Sequence, residues 1–195
     1  MKRSASVARK TKETEISLEL NINGSGTHKI STGIPFFDHM LTLFAVHGFF
    51  DLSVTAKGDL EVDSHHTVED VGLVLGEALD KALGDRKGIK RYGHASTPMD
   101  DALADVSIDL SKRPYLICHV PDTKESGVVF GITLAREFFR AFATRSGMNL
   151  HINVFYGENE HHIIESMFKS TARALDQATS LDDRLKDVRS SKGVL

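Results

Sequence analysis

Apolar and polar residues alternate in several short segments of the chain, the pattern typical of a strand with one buried face. Residues 16–20 (ISLEL) and 106–110 (VSIDL) share this alternation, ninety positions apart. Residues 50–54 and 149–154 form a second pair of strand-like segments. The pattern therefore predicts strands that occur in matching pairs along the chain.

Apolar residues at helical spacing lie between the paired strands. One such stretch covers residues 36–48 and the other covers residues 137–147, and both contain paired phenylalanines. Each ends at a glycine, which suits a helix C-cap. In this alignment of the two stretches, Glu137 corresponds to Asp38 and not to His39.

The strongest internal match is a motif of two histidines followed, after two residues, by a glutamate. It occurs at residues 65–69 (HHTVE) and at residues 161–165 (HHIIE), and each copy opens a long amphipathic helix. The order strand, helix, strand, helix thus occurs twice. We predict an α+β chain with a first repeat over residues 1–93, a second over 94–180 and a C-terminal tail over 181–195.

Both copies of the motif could bind metal. On a helix the first histidine and the glutamate share a face, whereas adjacent histidines project about 100° apart. One pair could therefore serve two different metal ions, and mixed imidazole and carboxylate ligands suit Mn, Fe, Ni or Zn. A single copy is more often a polar surface turn with its glutamate near the helix dipole. Two copies at matching positions favour a two-metal arrangement.

Composition narrows the function classes. The chain has 195 residues, with 24 Lys and Arg against 27 Asp and Glu, which argues against a dedicated nucleic-acid binder. Ten histidines stand beside one cysteine, Cys118, which excludes an internal disulfide and a cysteine-rich zinc site. No apolar run is long enough to span a membrane, and no apolar segment follows the basic N-terminus. We expect a cytoplasmic protein that binds neither nucleic acid nor membrane.

Five separated segments resemble one known family, that of imidazoleglycerol-phosphate dehydratase in the form without a fused phosphatase domain. The resemblance runs in the same order from residue 9 to residue 195. The segments that carry it are residues 33–41 (GIPFFDHML), 63–70 (DSHHTVED), 98–102 (PMDDA), 158–165 (ENEHHIIE) and 190–195 (SSKGVL).

The resemblance implies a fold and an assembly. The fold is a tandem duplication of a βαβ-type half, like domain 2 of ribosomal protein S5, with sheets covered by helices. The assembly is a homo-oligomer of 24 subunits whose active sites are shared between neighbours. Each active site would hold two Mn²⁺ ions.

The resemblance also implies an activity, that of a hydro-lyase in L-histidine biosynthesis. D-erythro-imidazole glycerol phosphate would lose water to give imidazole acetol phosphate. The hydrogen lost is poorly acidic because no carbonyl flanks its carbon, so a metal-stabilised imidazolate at a dinuclear Mn site would serve as the electron sink. Glu13 would be the general acid/base.

The site residues implied by the resemblance fall into two overlapping sets. The metal ligands are His39, His65, His66, Glu69, Glu137, His161, His162 and Glu165. Many relatives have histidine at the position of Glu137, so this carboxylate either ligates the metal or leaves the position to water. The substrate contacts are Glu13, His39, His47, His65, Glu69, Arg91, Arg113, Lys169, Ser190, Ser191 and Lys192. Arginine, lysine and serine among them suit a phosphate ester.

Two other classes of function compete with a dehydratase. A dinuclear metal hydrolase would use its ions to activate water, and a metal-storing shell would have no substrate. The predicted phosphate contacts argue against storage. Turnover of imidazole glycerol phosphate with and without Mn²⁺ separates the three.

Overall fold

The computed structural model describes residues 3–121 and 130–195; residues 1–2 and 122–129, which fall within the two predicted repeats, lie outside the described residues. The first half contains β1 (Ser4–Lys10), β2 (Thr14–Asn21), β3 (His28–Ser31), α1 (Pro35–His47), β4 (Asp51–Gly58) and α2 (His65–Leu83). The second half contains β5 (Tyr92–Met99), β6 (Ala102–Asp109), β7 (Tyr115–His119), α3 (Ile132–Ser146), β8 (Asn149–Tyr156) and α4 (Glu160–Thr179).

Each half forms one four-stranded sheet, and the two sheets have the same topology. The strand orders are β1-β2-β4-β3 and β5-β6-β8-β7. In each sheet the first three strands are antiparallel and the last pairs in parallel with its neighbour. This arrangement confirms the predicted α+β class and the duplicated half. Strands β1, β3, β5 and β7 were not predicted. Strands β1 and β3 are mostly exposed, and β7 is only half-buried. Strand β5 does alternate, but its buried positions are the small residues Gly93, Ala95 and Thr97.

Helices cover one face of each sheet and join the two halves. Helix α2 packs on β1 and β2, and α4 packs on β5 and β6. The halves meet where α2 packs on α3 and α1 packs on α4. Gly72 and Gly76 permit the first contact, since an added Cβ would lie 2.8 and 2.7 Å from the carbonyl oxygens of Phe138 and Phe142.

The buried faces of the helices fix the register between the two repeats. In α1 the buried residues are Phe37, Met40, Leu41, Phe44 and Ala45. Their counterparts in α3, each 98 positions later, are Ala135, Phe138, Phe139, Phe142 and Ala143. The same register relates β4 to β8, which begin at Asp51 and Asn149.

This register corrects the alignment made from the sequence. It pairs Glu137 with His39, and not with Asp38. The glycine-ended stretches are one residue out of step, because three residues connect α1 to β4 and two connect α3 to β8. Gly147 ends α3 in the left-handed conformation (φ 67°), whereas Gly48 ends α1 in the right-handed region (φ −96°).

Helices α2 and α4 also correspond to each other in the positions that they bury. Twelve buried positions of α2, from Thr67 to Leu83, recur 96 residues later in α4, and Glu165 is the counterpart of Glu69.

Within residues 3–121 and 130–195, none of the helices combines the length and the apolar content needed to cross a membrane.

Candidate functional site

Helices α1 and α4 bring three of the predicted ligands together in a group that we call cluster A (His39, His161, Glu165). The Nε2 atoms of His39 and His161 lie 3.1 and 2.8 Å from the same Glu165 oxygen, Oε1. One ligand atom from each residue falls within 4.8 Å of the others. Because α1 belongs to the first half and α4 to the second, this cluster depends on the packing of the two repeats.

Neighbouring residues hold cluster A in place. The side chain of Asn159 accepts a hydrogen bond from the His161 backbone N–H and so caps α4 at its first turn. The ring of Phe36 lies against the ring of His161, with centroids 4.8 Å apart. These contacts limit the orientations that the His161 imidazole can adopt.

Glu165 is ionised although it is buried. Its side chain is 6% exposed, and Lys169 Nζ donates to its second oxygen, Oε2, at 2.6 Å. Burial raises the pKa of the Glu165 carboxyl, but hydrogen bonds from Lys169, His39 and His161 outweigh it and lower the pKa to about 2. At neutral pH, cluster A therefore presents a negatively charged carboxylate to its two imidazoles.

Helices α2 and α3 form a second group, cluster B (His65, Glu69, Glu137), together with Arg140. His65 Nε2 lies 3.3 Å from Glu69 Oε2. Arg140 binds both carboxylates, with Nη2 at 3.0 Å from Glu69 Oε1 and Nε at 2.9 Å from Glu137 Oε2. Cluster B occupies the same place in the repeat as cluster A, with Glu137 where cluster A has His39.

The second histidine of each motif faces away from both clusters. The ring planes of His65 and His66 are inclined by 86° to each other, and so are those of His161 and His162. His66 Nδ1 lies 3.0 Å from Asp59 Oδ2, and His162 Nδ1 bonds Asp101. The hydrogen bond to Asp59 raises the pKa of His66.

Glu13 lies in the turn between β1 and β2, close to His66. Its Oε1 is 4.0 Å from His66 Nε2, and its side chain is 55% exposed. The Thr11 side chain fixes the turn, because the Glu13 and Thr14 backbone N–H groups both donate to Thr11 Oγ1. The position leaves this carboxylate accessible to a ligand beside His66.

Most of the predicted phosphate contacts lie together in the second half, near the start of β5 and away from cluster A. They line a cavity of about 880 Å³, which we call the basic pocket. Its walls include Arg91, Tyr92, Arg113, Ser190, Ser191 and Lys192. The C-terminal residues reach this place because they run beside residues 88–91, where Gly88 N–H donates to Asp187 O at 3.2 Å.

Arg91 forms part of the wall of the basic pocket, but protein groups already bind its guanidinium. It is buried, and its guanidinium binds Asp109 at 2.6 and 3.0 Å. This pairing raises the pKa of Arg91. A third bond, from Nη1 to the carbonyl of Arg189 at 2.6 Å, holds the C-terminal segment. Arg113 and Lys192 are exposed, as are Lys112 and Arg189 in the same pocket wall, so these four cations are accessible to an anion.

Lys169 and His47 are further predicted substrate contacts outside the basic pocket, as are Glu13, His39, His65 and Glu69. Lys169 lies at cluster A, where it also contacts Met99 Sδ at 3.1 Å. His47 lines a separate cavity of about 420 Å³ with His94 and Arg173. Burial, together with the charges of Lys169 and Arg173, lowers the pKa of His47. Their roles at the substrate stay predictions.

Sequence reasoning missed three polar residues of these groups. Asp59 and Asp101 fix the second histidines, and Arg140 bridges the carboxylates of cluster B. Asp101 lies in one of the segments that resemble the family, and Arg140 is three residues after Glu137 on the same helix. Nothing in the sequence around Asp59 predicts its contact with His66, because that contact depends on the conformation of the loop between β4 and α2.

The donors of cluster A fit a divalent cation that accepts imidazole and carboxylate ligands, since two imidazole nitrogens and one ionised carboxylate converge at ligand distance. Cluster B offers similar donors, but Arg140 engages both of its carboxylates. The residues of cluster A therefore fit a metal ion as they stand. Those of cluster B fit one after Arg140 has released Glu69 and Glu137.

Comparison with known proteins gives a consistent result. Residues 32–175 match the family model described as imidazoleglycerol-phosphate dehydratase. Proteins with that name from Desulfosudis oleivorans and Geobacter sulfurreducens are 64% and 55% identical to the chain over 195 residues, with full coverage of both chains.

Two crystal structures of this kind superimpose on the chain. The imidazoleglycerol-phosphate dehydratase from Staphylococcus aureus has a TM-score of 0.82 and 36% identity, covering 92% of this chain and 99% of its own. The enzyme from Pyrococcus furiosus, in complex with (S)-C348, has a TM-score of 0.85 and 40% identity, covering 97% of this chain and 100% of its own. The chain belongs to the imidazoleglycerol-phosphate dehydratase family of hydro-lyase enzymes.

Proposed function

We propose that the chain removes water from imidazole glycerol phosphate to give imidazole acetol phosphate, a step of L-histidine biosynthesis. The observation that carries the proposal, in a chain of this family, is cluster A. It joins two imidazoles and an ionised carboxylate from both halves of the fold. The basic pocket adds exposed cations and hydroxyls suited to a phosphate ester.

Two Mn²⁺ ions per active site complete this proposal. Clusters A and B would hold them, and His66 and His162 of neighbouring copies would add the remaining imidazoles through Nε2, since carboxylates engage their Nδ1 atoms. When bound at the nitrogens of the substrate ring, such ions act as Lewis acids that let the ring accept negative charge.

The chain's own residues would supply proton transfer and orientation. Glu13 would move the proton, because its exposed carboxylate stands 4.0 Å from His66 Nε2, beside the expected ring position. Lys169 would keep Glu165 ionised through its 2.6 Å contact. Arg113, Ser190, Ser191 and Lys192 would hold the phosphate, with Arg91 bracing the pocket wall.

The active sites would be shared between copies of the chain. Strand β5 begins at Tyr92 in the basic pocket and ends at Met99, which contacts Lys169 beside cluster A. Its seven residue steps span about 23 Å at roughly 3.3 Å each. The three-carbon chain between the substrate's ring and phosphate is much shorter. One copy would therefore contribute cluster A and another the basic pocket, as in the 24-subunit shell that the resemblance implied.

The cytoplasm is the compartment we propose for this reaction. The single cysteine, Cys118, is unpaired, as is usual for proteins of a reducing compartment. The proposed site uses imidazole and carboxylate ligands and needs no thiolate.

The proposal is tested by turnover after metal removal. Protein dialysed against a chelator is expected to form no imidazole acetol phosphate, and added Mn²⁺ is expected to restore the reaction. His161→Ala should abolish the restoration, whereas His151→Ala, at an exposed position on β8, should retain it. Product formation that chelation does not change, or no product with Mn²⁺, would contradict the proposal.

A further inference from the structure

Clusters A and B occupy equivalent places in the two repeats but differ in charge. The register of α1 and α3 pairs His39 with Glu137 and Thr42 with Arg140. Cluster B thus has a carboxylate in place of an imidazole and a guanidinium in place of a hydroxyl. The added negative charge and the added positive charge lie three residues apart on one helix face.

The two added groups contact each other. Arg140 donates to Glu137 Oε2 through Nε at 2.9 Å and also through Nη2. The same Nη2 lies 3.0 Å from Glu69 Oε1. One guanidinium therefore connects both carboxylates of cluster B and takes up oxygens that a metal ion would need.

The cation of cluster A is arranged differently. Of the two Glu165 oxygens, Lys169 binds Oε2, so Oε1 stays directed at His39 and His161. Lys169 is 14% exposed and fixed on α4, whereas the Arg140 side chain is 51% exposed. Arg140 can therefore turn towards solvent without crossing a packed interior.

We propose that Arg140 is a built-in counter-ion of cluster B that competes with a divalent cation for Glu69 and Glu137. This inference rests on the proposed two-metal function. A metal ion that must displace Arg140 binds more weakly by the free energy of that displacement. Two consequences follow. Cluster A fills first, and filling of cluster B requires Arg140 to leave the carboxylates.

Titration of the full-length, metal-free protein with Mn²⁺ alone tests this role. The spin-resonance signal of free Mn²⁺ measures how much metal each chain binds. For the parent protein we expect two classes of site that differ in affinity by about tenfold or more. Arg140→Gln should tighten the weaker class by about tenfold and leave the tighter class unchanged. Arg140→Lys, which keeps a cation, should restore much of the difference.

Arg145→Gln is the matched control. Arg145 lies on the same helix and also reaches across to α2, where its Nη2 binds Glu77 Oε2 at 2.8 Å. Both variants lose an ion pair between α2 and α3, but Glu77 belongs to neither cluster. The control should therefore bind Mn²⁺ as the parent protein does, with an unchanged circular dichroism spectrum in both variants.

The outcomes separate this inference from the function on which it rests. Two classes in the parent protein, with only the weaker one tightened in Arg140→Gln, support it. A parent-like titration of Arg140→Gln, or loss of its weaker class, overturns the role of Arg140 and leaves the dehydratase proposal standing. A parent protein that binds no Mn²⁺ overturns both.

Discussion

At the scale of single residues, the two histidines of each motif are fixed by different partners. His65 and His161 meet the glutamate one turn later on their own helix, through Nε2. His66 and His162 are held through Nδ1 by carboxylates from loops, Asp59 and Asp101. A carboxylate at one ring nitrogen makes the other a better metal ligand. The motif therefore presents two imidazoles to two different places.

Glu13 offers the first prediction at this scale. Glu13→Gln keeps the size of the side chain but removes the group that would accept a proton. We expect the turnover number to fall by about a hundredfold or more, the usual range for loss of a general acid/base. The Mn²⁺ content, measured by elemental analysis, should stay that of the parent protein.

Glu15→Gln is the control for Glu13. Glu15 is two residues away and pairs with Lys10 on the exposed face of β2. Its replacement should leave turnover unchanged. Equal activity of Glu13→Gln and the parent protein would remove Glu13 from the proposed mechanism.

The buried carboxylate of cluster A predicts a pH dependence of stability. The pKa of Glu165 is about 2 in the fold and about 4.3 in an unfolded chain. A lowered carboxyl pKa stabilises the fold above the unfolded value, and this contribution disappears as pH falls through the folded value. It amounts to about 3 kcal/mol at most at neutral pH.

Comparison of the parent protein with Glu165→Gln measures this contribution. Urea unfolding of metal-free protein at fixed chain concentration should show the parent protein's advantage at pH 7 and at pH 5. The advantage should shrink between about pH 4.5 and pH 2. A difference that stays constant over this range would show that Glu165 is not held ionised by its neighbours.

Residue-level contacts could be predicted from the sequence only where they are local. Helical spacing places His65 and Glu69 on one face, and it predicts that the adjacent His66 meets a different partner, as its contact with Asp59 shows. Asp59 and Arg140 reach their partners from other elements. Periodicity contains no information about such contacts, because they depend on how elements pack.

At the scale of elements, small residues decide how closely the two halves approach. Gly72 and Gly76 form a stripe on α2 that lies against the backbone of α3. Clusters A and B each combine residues from both halves. The spacing of the helices therefore sets the distances between ligands as well as the stability of the fold.

Gly76→Ala tests this spacing. The added methyl group would lie 2.7 Å from the Phe142 carbonyl oxygen and 2.8 Å from Arg145 Cβ, so the helices must separate. We expect a loss of about 1–3 kcal/mol in the free energy of unfolding, the usual cost of overpacking. Chemical denaturation at fixed chain concentration measures it.

Lys81→Ala on the exposed side of α2 is the comparison for Gly76→Ala. It removes one ion pair with Glu77, so a change below about 0.5 kcal/mol is expected. Gly76→Ala with the stability of the parent protein would show that α2 and α3 can shift without cost.

Element prediction succeeded where a regular period of burial falls on large apolar residues. The strands around residues 16–20 and 106–110, and the four helices, all have a clear apolar face. Strands β3 and β7 are short and have no buried positions, and β1 buries only Val7. Strand β5 buries small residues, so none of the four shows an apolar pattern in the sequence. The pairing of Glu137 with His39 needed the burial pattern, because the connecting loops differ by one residue.

At the scale of the whole molecule, cluster A and the basic pocket lie at opposite ends of β5 in one copy of the chain. Tyr92 lines the pocket, and Met99, at the other end of β5, contacts Lys169 beside cluster A. Sequence similarity alone names both groups of residues but says nothing of this distance. The separation leads to the central claim that the dehydratase site is completed by a second copy.

Mixed oligomers test that claim most directly. His161→Ala damages cluster A, and Arg113→Ala damages the basic pocket, so each variant alone should turn over little substrate. The two variants are produced together with different tags, and mixed assemblies are purified through both tags. Random assembly should leave about one quarter of the sites with both groups intact. Imidazole acetol phosphate formation near a quarter of the parent rate is the predicted result, and a rate no higher than that of the separate variants would contradict the account.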